Sequence, residues 1–177
     1  MGYGHIGREF ARRARAFDMR VVTVSRSMQR DEYVEDALPL DRLHDALAQA
    51  DAVVVAIAQT PETINLLSDA EFAACKRGAL LVNVARGPIV DQAALKRALE
   101  SGQLAGAAVD VTEPEPLPAD DPLWDAPNIL VSPHYAGAGS RRAVQRLAEG
   151  AADNLRRLMA NQPLLHTVSM PTEETRR

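Results

Sequence analysis

The strongest constraint on this chain lies in its first residues, Gly2-Tyr3-Gly4-His5-Ile6-Gly7. G-x-G-x-x-G is the spacing of a dinucleotide-binding turn between a strand and a helix. The first glycine allows a tight turn, and the second lets main chain approach a pyrophosphate. The third lets the following helix pack close to the sheet. N–H groups at the helix start then face the phosphates, where the helix dipole favours negative charge. Glycine-rich turns are common, so context decides. A helix does follow: Ile6, Phe10, Ala14 and Phe17 fall on one face, with Arg8, Glu9, Arg12, Arg13 and Arg15 mostly elsewhere. Only Met1 precedes Gly2, so the sequence contains no strand to deliver the chain to the turn.

The remaining pattern alternates strand-like and helix-like segments. Arg20 to Val24, Ala52 to Ile57, Ala79 to Val84, Ala107 to Val109 and Ile129 to Val131 are short apolar runs of strand length. Between them, Leu40 to Ala50 reads as a helix with Leu40, Leu43, Leu47 and Ala50 inward. Ser68-Asp69-Ala70-Glu71 is a capping box that opens a helix through Cys75, stopped by Gly78. Asp91 caps a helix with Ala94, Leu95, Ala98 and Leu99 inward, ended by Gly102; a last helix runs from about Ser140 to Met159. Strand runs with few polar positions suit a parallel sheet covered on both faces. The expected fold is α/β, a doubly wound (Rossmann) parallel sheet without its first strand. Residues 1–150 are assigned to the dinucleotide-binding domain and 151–177 to a C-terminal helix end and tail.

Several function classes drop out. A net charge of −4 points away from nucleic acid and from an anionic membrane surface. No apolar run approaches ~18 residues, so no membrane span is expected. The single Cys75 rules out an intrachain disulfide and suits a reducing cytoplasm; burial at a helix end is its simplest role. No metal site is read.

Ligands of doubly wound sheets bind beyond the carboxyl ends of the strands, so the residues after each strand carry the information. Ser25-Arg26-Ser27 follows the first run, with none of the carboxylate that would meet an adenosine ribose. Serine and arginine there would instead hold a 2′-phosphate, which favours NADP(H) over NAD(H). Ala58 to Thr63 is a proline-containing loop that either covers the cofactor or simply connects. Arg86-Gly87-Pro88 ends another strand, placed to grip a carboxylate through two hydrogen bonds. Asp110 to Pro116, with Glu115, and Ser132-Pro133-His134-Tyr135-Ala136-Gly137 follow the last two strands. Each has a bland reading alone; together they place an Arg, a Glu and a His at the ligand edge of one sheet.

Four motifs in order make the chain similar to the D-isomer-specific 2-hydroxyacid dehydrogenases: Gly2-x-Gly4-x-Ile6-Gly7, Asn83-Val84-Ala85-Arg86-Gly87-Pro88, Gly106 to Val111 with Glu115-Pro116, and Pro133-His134. The resemblance runs from Gly2 to about Val168. It implies that Arg86 binds the carboxylate and carbonyl of a 2-keto acid, that His134 is the general acid/base at the C2 oxygen, and that Glu115 is its partner. It also implies cofactor contacts for His5 and Ile6 at the phosphates and for the Ser25 position at the adenosine ribose. Ile57, Asp110 and the Val84-Ala85-Arg86 backbone would lie on the nicotinamide side, and Ala136 and Gly137 are also assigned to cofactor binding. A homodimeric reductase of the glyoxylate/hydroxypyruvate type follows by the same resemblance. Ala58 and Gln59 depart from the family's Pro and Leu-like residues. The family also carries a substrate domain of roughly a hundred residues ahead of the glycine turn. The expectation is therefore a fragment, inactive alone, with Leu155, Leu158, Leu164 and Leu165 exposed. Two competing readings are a dinucleotide-sensing, corepressor-like module and a non-functional remnant.

Overall fold

Short parallel strands organise the chain. In the computed structural model, residues 1–137 and 140–167 are described; Val168, where the family resemblance ends, lies outside them. Two units result, Met1–Tyr135 and Ala136–Arg177. In the first, β3 (Ala52–Val55), β4 (Ala79–Asn83), β5 (Leu104–Val109) and β6 (Ile129–Val131) form one sheet in that order. All pairs are parallel: Val53 lies opposite Leu81, Leu81 opposite Ala107, and Ala107 opposite Ile129. β1 (Val22–Val24) and β2 (Asp36–Leu38) form a separate parallel pair.

β2 is absent from the sequence reading. It is three residues long, contains Asp36 and runs into Pro39, so no apolar run marks it. Pairing with β1 creates it: Glu35 N–H donates to Val21 O and Ser25 N–H to Leu38 O.

The helices α1 (His5–Arg15), α2 (Leu43–Leu47), α3 (Asp69–Ala74) and α4 (Gln92–Glu100) cover the sheets. α4 behaves as its pattern requires: Ala94, Leu95, Ala98 and Leu99 are buried, and the Asp91 carboxylate accepts from Ala94 N–H. α3 opens with the expected capping box between Ser68 and Glu71. Cys75 is buried at its end, and burial pushes its thiol up to about 11. α2 is shorter than its pattern, because Leu40–Arg42 is a 3-10 turn and only Leu43–Leu47 is α-helical.

The inward face of α1 differs from expectation. Ala11 and Ala14 are buried, whereas Ile6 is 61% exposed and Phe17 80% exposed. Phe17 lies beyond the helix end. Phe10 borders an open cavity between β1 and β3 rather than packed main chain.

That cavity marks where the two sheets fail to join. Met1 and Gly2 bridge them by main chain alone. Met1 N donates to Val54 O at 2.7 Å, Ala56 N–H donates to Met1 O, and Gly2 N–H donates to Val24 O. The main core nevertheless runs continuously from Val24 through Leu47, Val55, Leu81 and Leu95 to Val109.

The second unit is built on α5 (Arg141–Met159), capped by Ser140, whose hydroxyl accepts from Ala143 N–H. Asn154 exchanges two hydrogen bonds with the main chain of Leu165. Leu147, Leu155 and Leu158 are exposed, and Leu164 and Leu165 are about as exposed as Phe10. No helix of the described residues is long and apolar enough to cross a membrane.

Candidate active site at the strand ends

The glycine turn is built as its spacing requires. Gly2 has φ +82°, and a Cβ there would lie 2.5 Å from Ala56 O. A Cβ on Gly7 would lie 2.2 Å from Gly2 O, so only glycine lets α1 start this close to the turn. Gly4 is different: nothing lies within 4 Å of where its Cβ would be. The first turn of α1 carries no acidic residue, and Gly4 at the N-cap offers no side chain to its N–H groups. Open space above Gly4 and uncapped donors beside it suit a phosphate group.

Ser25, at the end of β1, is buried, and its hydroxyl finds no partner among the described residues. A buried hydroxyl without a partner costs about 1–3 kcal/mol, which a ribose hydroxyl or phosphate oxygen would recover. Arg26 follows it on the surface; the Glu62 carboxyl is held down chiefly by the Thr60 hydroxyl and a main-chain N–H, with the charge of Arg26 a lesser contribution. Residues 58–63 are a formed loop: Thr60 N–H donates to the Thr63 hydroxyl at 2.7 Å, and that hydroxyl donates to Ala58 O. The residues at the two lips of this edge therefore fit a dinucleotide with its pyrophosphate over Gly4 and its ribose at Ser25.

Next along the edge, β4 ends at Asn83, which is buried. Its side chain accepts from Ala85 N–H and donates to Arg86 O. These two bonds set the Val84-Ala85-Arg86 turn and leave Arg86 exposed, with one guanidinium nitrogen on Ala85 O at 2.6 Å. A Cβ on Gly87 would sit 2.0 Å from Thr112 O, so the arginine turn and the loop after β5 touch main chain to main chain. Gln92 ties the same loop to α4, donating to Glu113 O and accepting from Glu113 N–H. Ile57 follows β3 and is partly buried against the core.

The structure brings Glu115 and His134 together: His134 Nδ1 lies 2.8 Å from Glu115 Oε1. Both side chains are partly exposed, 46% for the histidine and 39% for the glutamate. His134 has φ +53°, in the left-handed region that non-glycine residues rarely occupy. Two main-chain bonds hold it there, His134 N–H to Asp110 O at 2.8 Å and to Ser132 O at 3.0 Å. The Asp110 carboxylate, buried at the end of β5, accepts from the Ser132 hydroxyl at 2.5 Å and from Tyr135 N–H at 2.9 Å. Asp110 thus fastens the segment that carries the histidine. With Nδ1 committed to Glu115, Nε2 is the nitrogen left for proton transfer. Arg86, Glu115 and His134 follow β4, β5 and β6, which are adjacent, so all three lie at one sheet edge. No direct contact joins Arg86 to the other two among the bonds described.

Sequence reasoning missed Gln92, Ser132 and the clamp of Asp31. Asp31 accepts from the Tyr3 hydroxyl at 2.5 Å and from Arg8 at 2.7 Å, which fastens the segment after β1 onto the glycine turn. None of these has a sequence signal, because each bond joins residues far apart in the chain. Ala136 and Gly137 belong to the second unit.

The family model for the "D-isomer specific 2-hydroxyacid dehydrogenase, NAD binding domain" matches residues 1–136. A glyoxylate reductase of Korarchaeum cryptofilum is 40% identical over 159 residues, covering 88% of this chain and 46% of that protein. This chain spans about half the length of such relatives. A D-isomer specific 2-hydroxyacid dehydrogenase from Xanthobacter autotrophicus, solved with NADPH and MES, is 40% identical with a TM-score of 0.87, over 95% of this chain and 68% of that one. An NADPH-dependent glyoxylate/hydroxypyruvate reductase from Sinorhizobium meliloti, solved with NADP and sulfate, is 32% identical. Its TM-score is 0.87, over 96% of this chain and 54% of that one.

Proposed function

The chain belongs to the D-isomer specific 2-hydroxyacid dehydrogenase family, and we propose that it is the cofactor-binding part of a reductase acting on glyoxylate, hydroxypyruvate or a similar small 2-keto acid. The observation that carries this reading is the Glu115–His134 pair, 2.8 Å apart, at the same sheet edge as Arg86. A binding module needs a nucleotide cradle; it does not need an oriented histidine at the same sheet edge as an exposed arginine. When bound, a reduced nicotinamide supplies a hydride to the carbonyl carbon. As negative charge grows on the carbonyl oxygen, His134 Nε2 delivers a proton to it. Glu115 keeps the ring turned for that transfer. Arg86 holds the substrate carboxylate and lowers the energy of the developing alkoxide. The reverse sequence oxidises the 2-hydroxy acid, with His134 as base.

We assign NADPH as the preferred cofactor. Ser25 ends β1 with a buried, unpartnered hydroxyl, Arg26 follows, and the ribose-binding carboxylate of NAD-selective sites is absent. Two structural relatives solved with NADPH or NADP support the assignment. Arg26→Ala should raise the Michaelis constant for NADPH at least tenfold and leave that for NADH within about twofold, since only the 2′-phosphate loses a partner. Equal use of both cofactors by the parent would count against it. The assembly we propose is a cytoplasmic homodimer, a setting that suits a lone buried thiol.

The test of the catalytic reading is glyoxylate-dependent NADPH oxidation by the active enzyme. His134→Ala and Arg86→Ala should each cut turnover by about 10²–10⁴-fold, with NADPH binding retained. Glu115→Gln should cost less, because an amide can still orient the ring. Near-normal turnover in His134→Ala would remove the proton donor from this scheme.

A further inference from the structure

Glu115 and His134 are both partly open to water. An ion pair in that setting gains less than it costs to order the residues that make it. Glu115 must therefore be held in place by something other than its histidine. Its main chain leads back through Pro114 and Glu113 to Thr112, shortly after β5. Pro114 and Pro116 have fixed φ and disfavour helical backbone at the two glutamates before them. The stretch is thus a stiff arm, and fixing Glu113 places Glu115. Three contacts brace its base. Thr112 O lies against Gly87, too close for any Cβ there. The Thr112 hydroxyl donates to Pro114 O at 2.9 Å. Gln92 grips Glu113 twice: its amide nitrogen donates to Glu113 O at 2.9 Å, and its amide oxygen accepts from Glu113 N–H at 2.7 Å. Gln92 is also the first residue of α4, which is rooted in the core by Ala94, Leu95, Ala98 and Leu99. The chain that enters α4 comes directly from the Arg86 turn through Gly87–Ile89. One side chain therefore connects the base of the arginine turn with the arm that carries Glu115.

We propose that Gln92 is a positioning residue for the proton transfer: it fixes the Glu113 main chain, so that Glu115 keeps the His134 ring protonated on Nδ1 with Nε2 left for substrate. The catalytic meaning of this role rests on the proposed function; its effect on the ring does not need turnover. The residue type fits the task. A primary amide donates and accepts at once, which matches the N–H and C=O of a single residue. A glutamate could accept from the Glu113 N–H but would set its carboxylate against Glu113 O. A methionine has similar length and helix propensity and can do neither. Gln92 is on the rim and touches none of the proposed cofactor contacts, so its loss acts on the histidine and leaves the nucleotide cradle alone.

The test uses the protein of the glyoxylate assay, with histidine labelled for nitrogen NMR; the His134 signals are those lost in His134→Ala. The parent's neutral ring should be the Nδ1–H tautomer. In Gln92→Met the two neutral tautomers should mix. Turnover of glyoxylate should fall about tenfold, with the dissociation constant for NADPH within about twofold of the parent's. Gln92→Glu, which keeps the bond from Glu113 N–H, should lie between the parent and Gln92→Met. Added to Glu115→Ala, Gln92→Met should lower turnover by no more than about twofold further, because it acts through Glu115. Arg97→Met is the control for general loosening of α4: it removes the ion pair to Asp69 and should leave the ring signals and turnover as in the parent. A parental ring in Gln92→Met would overturn the proposal, as would a mixed ring in the parent itself. So would full additivity with Glu115→Ala, or an equal change in Arg97→Met. A parent that holds the Nδ1–H tautomer yet reduces no glyoxylate would count against the proposed function and leave the hold of Gln92 on the ring standing.

Discussion

Gly4 and Gly7 lie three residues apart in one turn and answer to different constraints. Gly7 is glycine because main chain lies 2.2 Å from its missing Cβ; Gly4 is glycine with nothing within 4 Å. The first is a packing demand of the protein itself. The second leaves open space, where the proposed function puts the cofactor's pyrophosphate. Gly4→Ala should therefore melt like the parent, since φ −80° suits alanine. It should weaken NADPH at least tenfold, about 1.4 kcal/mol, by placing a methyl group in the space proposed for the pyrophosphate. Gly7→Ala should lose about 2 kcal/mol or more of stability, because the clash is with backbone and something must shift. Thermal melts and NADPH fluorescence titrations of the two variants separate these effects; equal melting temperatures would sink the distinction. His134 is the other residue whose setting is informative. Its left-handed backbone is held by its N–H donating to Asp110 O and Ser132 O, so strain is retained at the proposed acid/base group.

At the scale of elements, each functional turn is fastened by a neighbour rather than by its own sequence. Asn83 shapes the arginine turn, Gln92 ties the Glu113 loop to α4, and Asp110 secures the histidine segment. Asp31 does the same for α1 and the glycine turn. Its carboxyl is held below the ordinary carboxylate range, chiefly by the Tyr3 hydroxyl; partial burial opposes this, and the Tyr33 N–H and Arg8 add to it. A carboxyl with a depressed folded pKa contributes stability above its unfolded value of 3.8 and loses it as pH falls through the lower, folded value. Acidification from about pH 5 to about pH 3 should therefore lower the urea midpoint of the parent more than that of Asp31→Asn, which has no carboxylate to protonate. The difference between the two acid limbs is the measurement, because Glu9 and Asp69 are shifted in the same direction and titrate in both proteins. Parallel limbs would mean that the Asp31 clamp contributes nothing.

At the scale of the whole molecule, the two sheets stay apart. Alternation of strands and helices would also have allowed β1 and β3 to close on each other. They do not, because α1 and α2 already stand on either side of a strand-width gap. Each ladder group left dry there would cost about 1–3 kcal/mol, against about 5–15 kcal/mol for a whole domain. The 177-residue polypeptide should accordingly melt with low cooperativity or associate. Calorimetry and size-exclusion chromatography on the purified chain check this. A monomer with a sharp, two-state melt would refute the stability claim.

The sequence alone determined the fold class, the order of every strand but β2 and of the helices, and the placing of Arg86, Glu115 and His134 at one sheet edge. Those follow from local rules: glycine spacing, caps such as Ser68 and Asp91, apolar runs of strand length, and the placing of Arg86, Glu115 and His134 after successive strands. Tertiary structure decided the rest. β2 exists only through pairing with β1, and its residues carry no strand pattern of their own. The inward face of α1 is Ala11 and Ala14, because small side chains allow the close approach that Gly7 begins, while Phe10 lines the cavity between β1 and β3. Asp110 supports the histidine segment through contacts more than twenty residues away in the chain. Local pattern reports which way a residue tends to fold. It carries no information about which distant donor or acceptor will be waiting, since that depends on how sheets and loops come together in space.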